Sequence, residues 1–368
     1  MTAGSAPGVV PPSRTSKGER RRRSRRAVAV VTVLLVLVAG VYAVTRTGRD
    51  SAGDGLSPRP GTSSSPGSAT APAADLAVLS ITGGSGPMIL VVGDARGPVA
   101  IALPQRLTQV VPGMGEVDLD ALGQLDGATV RIGVSNTLGV WVRHFGVASV
   151  QSIAKAVDAA GGIPMDLGRA FKANGTTVGP GTVNLTGAQV TAFLSGPQAA
   201  ASARWGAFSR ALLSQRLPLP PTALVETDNA AAVSRLLAAA KGARPTVLPV
   251  TDVGGLVQVP DLTAIDALAT TLLGSGGPPT PVIVQNGNGV PGIGADVAER
   301  LIPAGFRVVL STNADTFSVR RTLIIALGTD MAGEAKRARH ALGLGVMSVS
   351  SVPSGVGDVK IIVGKDFK

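Results

Sequence analysis

Residues 27–44 read "AVAVVTVLLVLVAGVYAV", without one charged side chain, and they come directly after a block of arginines. At a rise of ~1.5 Å per residue, about twenty apolar residues cross the hydrocarbon core of a bilayer. The stretch therefore predicts a single transmembrane helix over residues 27–45. Arg14, Lys17, Arg20, Arg21, Arg22, Arg23, Arg25 and Arg26 lie before it, whereas only Arg46 and Arg49 follow closely. The positive-inside rule makes residues 1–26 a basic cytoplasmic tail and puts the rest of the chain outside, so the expected location is the cell membrane, with the C-terminus extracytoplasmic. A cleaved signal peptide is the competing reading. Its apolar region is normally shorter, however, and no clean small-x-small site precedes Thr45.

The formal net charge of +11 is mostly a property of that tail, with about +7 before residue 27 and about +4 after it. Aromatic residues make up only 3% of the chain, too few for surfaces that stack single-stranded nucleic acid, and the short tail holds no helix-turn-helix. No nucleic-acid partner is expected. There is no cysteine, so neither disulfides nor thiolate chemistry is available, and an extracytoplasmic fold must be held by burial of Val, Leu, Ile and Ala side chains.

Residues 46–74 are dominated by Ser, Gly, Pro and Ala and predict a disordered linker that lifts a domain off the membrane. Residues 75–276 alternate strand-like and helix-like segments. The apolar runs "PMILVV" and "GPVAIALP", split by "GDARG", predict a hairpin. The run "SVQSIAKAVDAAGG" predicts a helix capped by Ser149, with Val150, Ile153 and Val157 on one face and Gly161 and Gly162 at its end. Further helices are expected in "LTGAQVTAFLS" from Leu185, in "DNAAAVSRLLAAAKG" with Asp228 as cap, and in "LTAIDALATTLLGSGG" from Leu262. Pro278, Pro279 and Pro281 then mark a boundary. Strands "VIVQN", "FRVVLS", "TLIIAL", "GVMSVSSV" and "DVKIIVG" and two helices make residues 280–368 a small C-terminal α/β module. No repeat of solenoid period is present.

Gly287-Asn288-Gly289-Val290-Pro291-Gly292 is a literal G-x-G-x-x-G between a predicted strand and a predicted helix, with Asp315 following at some distance. In a dinucleotide site such glycines let amides approach a pyrophosphate while the acid holds a ribose hydroxyl. Here the module is too short for a doubly wound sheet and Pro291 removes an amide, so an ordinary strand-to-helix turn is expected. His144 in "WVRHFG" has no metal-spaced partner and reads as a surface or interface histidine. Trp141, Phe145, Trp205 and Phe208 are expected mainly in the core, and "EAKRARHA" is a basic helix face, either solvated or set against an anionic polymer.

Two regions resemble one family. "VDAAGGIPMDL" at residues 157–167 and "GPGTVNLTGAQVTAFLS" at residues 179–195 are similar to signatures of the LytR-CpsA-Psr (LCP) cell-envelope proteins. "VIVQNGNGVPGIGADVAERLIPAGFRV" and "DVKIIVGKDF" resemble the LytR C-terminal domain. The resemblance implies an α/β fold in which an LCP-like sheet domain with flanking helices precedes the small module. It also implies transfer of a glycopolymer from a polyprenyl-pyrophosphate carrier to peptidoglycan, with Arg and Asp side chains clamping the pyrophosphate and holding Mg²⁺.

The implied charges are largely missing from this chain. Where the family shows an R-x-D-T run, Gly84-Ser85-Gly86-Pro87 stands. In "ALPQRL" Pro104 matches the family proline, but Gln105 takes the place of an arginine and Arg106 that of an aspartate, and a cation cannot ligate Mg²⁺. The arginine closing the next segment is replaced by Ser195 or Gly196. In "ASARWGAFSRALLSQ" Arg204 matches a family arginine, whereas Arg210 sits in another register. Between Leu76 and Leu107 only Asp94, Arg96 and Arg106 are charged, so no shift of alignment recovers the set.

The reading is a non-catalytic LCP-like binding or scaffolding protein of cell-envelope assembly, with no catalytic residue, metal site or cofactor. Arg106, Arg143 and Arg204 are the candidates for residual phosphate or lipid contacts. The expected partners are the membrane and a polyprenyl carrier lipid, a wall glycopolymer or an active LCP relative. The alternative is a working phosphotransferase with rearranged ligands, which requires Mg²⁺.

Overall fold

The computed structural model describes residues 74–214, 219–254 and 257–368. The predicted basic tail, transmembrane helix and almost all of the predicted linker lie outside the described residues, among which no helix is long and apolar enough to cross a membrane. The described residues form a mixed α/β structure with two large sheets.

The first sheet contains β1 (Asp75–Thr82), β2 (Met88–Asp94), β3 (Pro98–Ala102), β4 (His144–Ser149), β5 (Leu224–Thr227) and β6 (Thr246–Val247), in the spatial order β5-β4-β1-β2-β3-β6. β2 and β3 form the expected antiparallel hairpin, and β1 pairs antiparallel with β2 and parallel with β4. β1 is central because it is apolar on both sides: Ala77, Leu79 and Ile81 enter one core, Leu76 and Val78 the other.

The helices around this sheet are α1 (Gly127–Leu138), α2 (Val150–Ala159), α3 (Gly187–Leu194), α4 (Ala201–Leu213), α5 (Ala230–Ala239) and α6 (Leu262–Leu268). α1 and α6 cover the face of Leu76 and Val78, and α2 to α5 cover the opposite face, giving three layers. α2 begins as its sequence requires, with Ser149 and Ser152 exchanging side-chain and backbone hydrogen bonds. It buries Val150, Ile153 and Val157, each worth ~1.5–3 kcal/mol of transfer free energy. Gly162, at φ +107°, turns the chain out of it. The expected cap of α5 is displaced by one residue. Asn229 accepts from the Ala232 amide, because the Asp228 carboxylate is engaged elsewhere.

The second sheet contains β7 (Thr280–Asn286), β8 (Phe306–Asn313), β9 (Leu323–Leu327), β10 (Val346–Ser350) and β11 (Val359–Val363), ordered β8-β7-β11-β9-β10. Helices α7 (Ile293–Leu301) and α8 (Ala332–Leu342) cover one face, where Val297, Leu301, Ala335 and Ala338 pack on Val282, Phe306, Ile324 and Ile361.

The outer edge of β8 would expose an unpaired strand, a hazard that folds usually cover. Here α1 covers it. Asn136 mimics a neighbouring strand: its Oδ1 accepts from the Val308 amide at 2.7 Å and its Nδ2 donates to the Val308 carbonyl at 2.8 Å. Arg307, on the same strand, donates to the Asn136 and Thr137 carbonyls at the end of α1 and to the Asp266 carboxylate at 2.6 Å. Ile132 of α1 is buried in the second core. The two sheets are accordingly parts of one packed unit.

Candidate functional site

The turn joining β1 to β2 is where the family resemblance implies charged ligands. Gly83 and Gly86 adopt left-handed φ angles of +87° and +91°, which fold residues 83–87 tightly against α3 and α4. Both the amide and the hydroxyl of Ser85 donate to the Leu194 carbonyl, each at 2.9 Å, and so occupy an acceptor at the end of α3. A Cβ on Gly84 would lie 2.9 Å from both the Leu194 oxygen and Trp205 Cζ2. Pro87 packs on Gly123, where a Cβ would come within 2.3 Å of the proline ring, and its carbonyl accepts from Gln105 Nε2 at 2.7 Å.

Arg204 is the cation at this turn, and only 8% of it is exposed. Its Nη2 donates to Ser85 Oγ at 2.7 Å and to the Pro197 carbonyl at 2.6 Å. Gly196, one of the two residues that the resemblance sets against a family arginine, lies against the guanidinium, with a virtual Cβ 3.1 Å from Cζ. Burial lowers the Arg204 pKa from the ordinary guanidinium value, yet an arginine stays charged at neutral pH. Its Nε is buried and unpartnered. The guanidinium thus ties the turn to α3 and α4 instead of facing an open site.

The other candidate residues are dispersed. Arg106 is exposed, beside Gln105, at the same end of the sheet as the turn. Arg143 is at the opposite end, where its amide donates to the Leu76 carbonyl, a full strand length of ~25 Å away at ~3.3 Å per residue. Asp94 closes β2 at that far end too, and Arg96 lies against Gly274. Among the described residues no group of three His, Asp or Glu side chains is arranged to hold a metal ion. The donors that would ligate Mg²⁺ do not fit at this turn, which offers peptide groups, Ser85, Gln105 and a cation.

His144 begins β4 and places Nδ1 2.9 Å from Asp228 Oδ2. Although burial opposes ionisation of Asp228, hydrogen bonds from the Phe145 amide and His144, together with the His144 charge, hold its pKa below the usual carboxylate range. This pair fastens β4 to the start of α5. Trp205 and Phe208 are core residues in edge-to-face contact, whereas Trp141 and Phe145 are half-buried beside the Arg131 guanidinium.

A family model matches the C-terminal part of the chain. Residues 280–367 match the family model described as LytR cell envelope-related transcriptional attenuator, so the second sheet and its helices form a LytR C-terminal domain. No curated protein sequence matches the chain. Among solved structures, TagV of B. subtilis is similar at 13% identity over 54% of this chain and 96% of that one, with a TM-score of 0.45. A LytR-Csp2A-Psr enzyme from Actinomyces oris is similar at 20% identity over 56% and 91%, with a TM-score of 0.42. TagT with bound octaprenyl pyrophosphate lipid is similar at 11% identity over 56% and 92%, with a TM-score of 0.40. Likenesses this distant assign the chain neither an activity nor a ligand.

Sequence reasoning identified Arg204 but missed its role, because the acceptors Ser85 and Pro197 lie 119 and 7 residues away from it along the chain. It missed Asn136 and Arg307 altogether. The available signal was an arginine in an otherwise apolar strand, "FRVVLS".

Proposed function

We propose that the chain is a membrane-anchored, extracytoplasmic, non-catalytic relative of the LCP proteins that binds or scaffolds in cell-envelope assembly. The family signatures at residues 157–167 and 179–195 and the LytR C-terminal domain support the envelope assignment. The carrying observation for the absence of chemistry is the closed β1–β2 turn. Gly84, Ser85 and Pro87 fill the position of the expected clamp, and Arg204 is held by Ser85 and Pro197. A single donor to a transition state is worth ~2.7–4 kcal/mol, so losing several together leaves nothing to stabilise the developing charge of a transferring phosphoryl group. Membrane anchorage rests on the uncharged run at residues 27–44. The partners of this reading are a wall glycopolymer, the polyprenyl carrier or an active LCP relative.

The test is incubation of the full-length chain with a polyprenyl-pyrophosphate-linked glycan, a peptidoglycan acceptor and Mg²⁺, with glycan binding and transfer scored separately. Retention of the glycan without transfer is the expected result. Transfer above the rate without protein refutes the proposal.

A further inference from the structure

Three segments meet at one end of the second sheet: the loop 287–292 after β7, residues 314–321 before β9, and the turn 364–368 after β11. The Val319 amide donates to the Gly287 carbonyl, the Lys365 amide to the Val319 carbonyl, and Asn288 Nδ2 to the Gly364 carbonyl. The first two segments carry exposed apolar tips, Val290 at 50% exposure and Phe317 at 49%. A Cβ on Gly289 would lie 3.2 Å from the Phe317 Cβ, so the two tips are on neighbouring loops in contact. Arg320, Arg321 and Lys365 are exposed on the same segments. We propose that this end of the second sheet docks on an anionic lipid bilayer, with Val290 and Phe317 entering the interface and Arg320, Arg321 and Lys365 meeting the headgroups.

Hydrogen bonds present both tips. Asn286 Oδ1 accepts from the Gly289 amide at 2.9 Å and its Nδ2 donates to the Val290 carbonyl at 2.8 Å, while Gly289 takes the left-handed φ of +84° that the turn requires. Thr316 Oγ1 accepts from the Ser318 amide and folds the second loop around Phe317. Apolar side chains held in water in this way gain by entering the boundary between headgroups and acyl chains. Charge selects the kind of bilayer. Among the described residues, Arg320, Arg321 and Lys365 form no ion pair and no side-chain hydrogen bond, so all three charges are free for anionic headgroups. Of the two acids on these segments, Asp366 is engaged by the Thr322 amide and hydroxyl, which leaves Asp315 as the opposing charge.

The basic face of α8 makes the contrast. It carries Lys336, Arg337 and Arg339, but Arg337 is paired with Glu334 and the helix has no large exposed apolar side chain. A polyanion in water needs charge alone, whereas a bilayer takes charge and apolar tips together, as the loop end offers them. The inference rests on the proposed membrane anchorage for one thing, the nearness of a bilayer: residues 46–74, as a flexible chain, span about 30 Å.

The chain has no cysteine, so Ser318→Cys takes a single bimane label beside Phe317. The labelled full-length chain is reconstituted in vesicles of phosphatidylcholine alone or of equal parts phosphatidylcholine and phosphatidylglycerol, each containing lipid with a nitroxide quencher high on its acyl chain. Quenching is expected in the anionic vesicles and not in the neutral ones, and a label at Lys336→Cys on α8 stays unquenched in both. A basic residue near an anionic surface strengthens binding about fivefold, so Arg320→Gln, Arg321→Gln and Lys365→Gln together should lower the ratio of docked to undocked chain about a hundredfold. Phe317→Ala should lower it about tenfold. These positions are exposed, so the unfolding midpoint stays unchanged and lost docking is not lost structure. Absence of quenching in anionic vesicles overturns the proposal, as does equal quenching in both kinds of vesicle, equal quenching at Ser318→Cys and Lys336→Cys, or quenching that survives loss of the three charges. So does a label that responds to soluble polyphosphate through those charges while anionic vesicles leave it unquenched. Flotation with neutral vesicles reports the anchor separately: a chain that fails to float contradicts the proposed anchorage, and quenching on adding anionic vesicles to it still decides the docking.

Discussion

Arg307→Ala is expected to destabilise the fold by about 3–5 kcal/mol, seen as a lower urea midpoint for the full-length chain in detergent. Arg307 is almost fully buried and reaches the Asn136 and Thr137 carbonyls and the Asp266 carboxylate with one guanidinium. Truncation strands all three acceptors, and the lone carboxylate is the costliest of them. Lysine keeps the charge but offers a point donor in place of a planar fork, so Arg307→Lys should recover only part of the loss. Arg143→Ala, at an exposed position, is the control. Equal midpoints for Arg307→Ala and Arg143→Ala would mean that the second sheet is not anchored through this residue.

The second large effect is expected at the β1–β2 turn. Gly84→Arg returns a guanidinium to the stretch where the family resemblance implies one, yet its Cβ alone meets the Leu194 carbonyl and Trp205 at 2.9 Å. Neither neighbour yields easily, since one is backbone and the other is a buried indole. The substitution should cost ~1–3 kcal/mol of overpacking and give no Mg²⁺-dependent transfer. Unchanged stability together with new transfer activity would show that the turn retains room for a clamp.

Much of the architecture was legible because local rules and tertiary packing agree. Ser149 with Ser152 starts α2, Gly161 and Gly162 end it, and the strands and helices of residues 280–368 follow their apolar periods. The strands β1 and β4 and the helix α1 were not anticipated. β1 is buried on both faces and shows no alternation, and α1, "GATVRIGVSNTL", is rich in glycine, β-branched and small polar residues that disfavour helix. The Asp126 cap and the left-handed Gly139 are local signals that mark its ends, but the helix between them is held by its buried faces, which are tertiary facts.

The candidate site was legible only as a list of missing charges. What replaced them was not. That Ser85 and the Pro197 carbonyl take up the Arg204 guanidinium, and that Gln105 bonds the Pro87 carbonyl, depends on contacts between distant segments that no spacing rule reports. The same holds for Asn136, whose side chain completes the edge of a strand about 170 residues further along.

The proposal that this chain lacks a pyrophosphate clamp is tested most directly by calorimetric titration of the full-length chain with geranyl pyrophosphate, in the presence and absence of Mg²⁺. With the turn packed shut and no carboxylate beside Arg204, no Mg²⁺-dependent heat is expected. A saturable Mg²⁺-dependent heat that disappears in Arg204→Ala would contradict it.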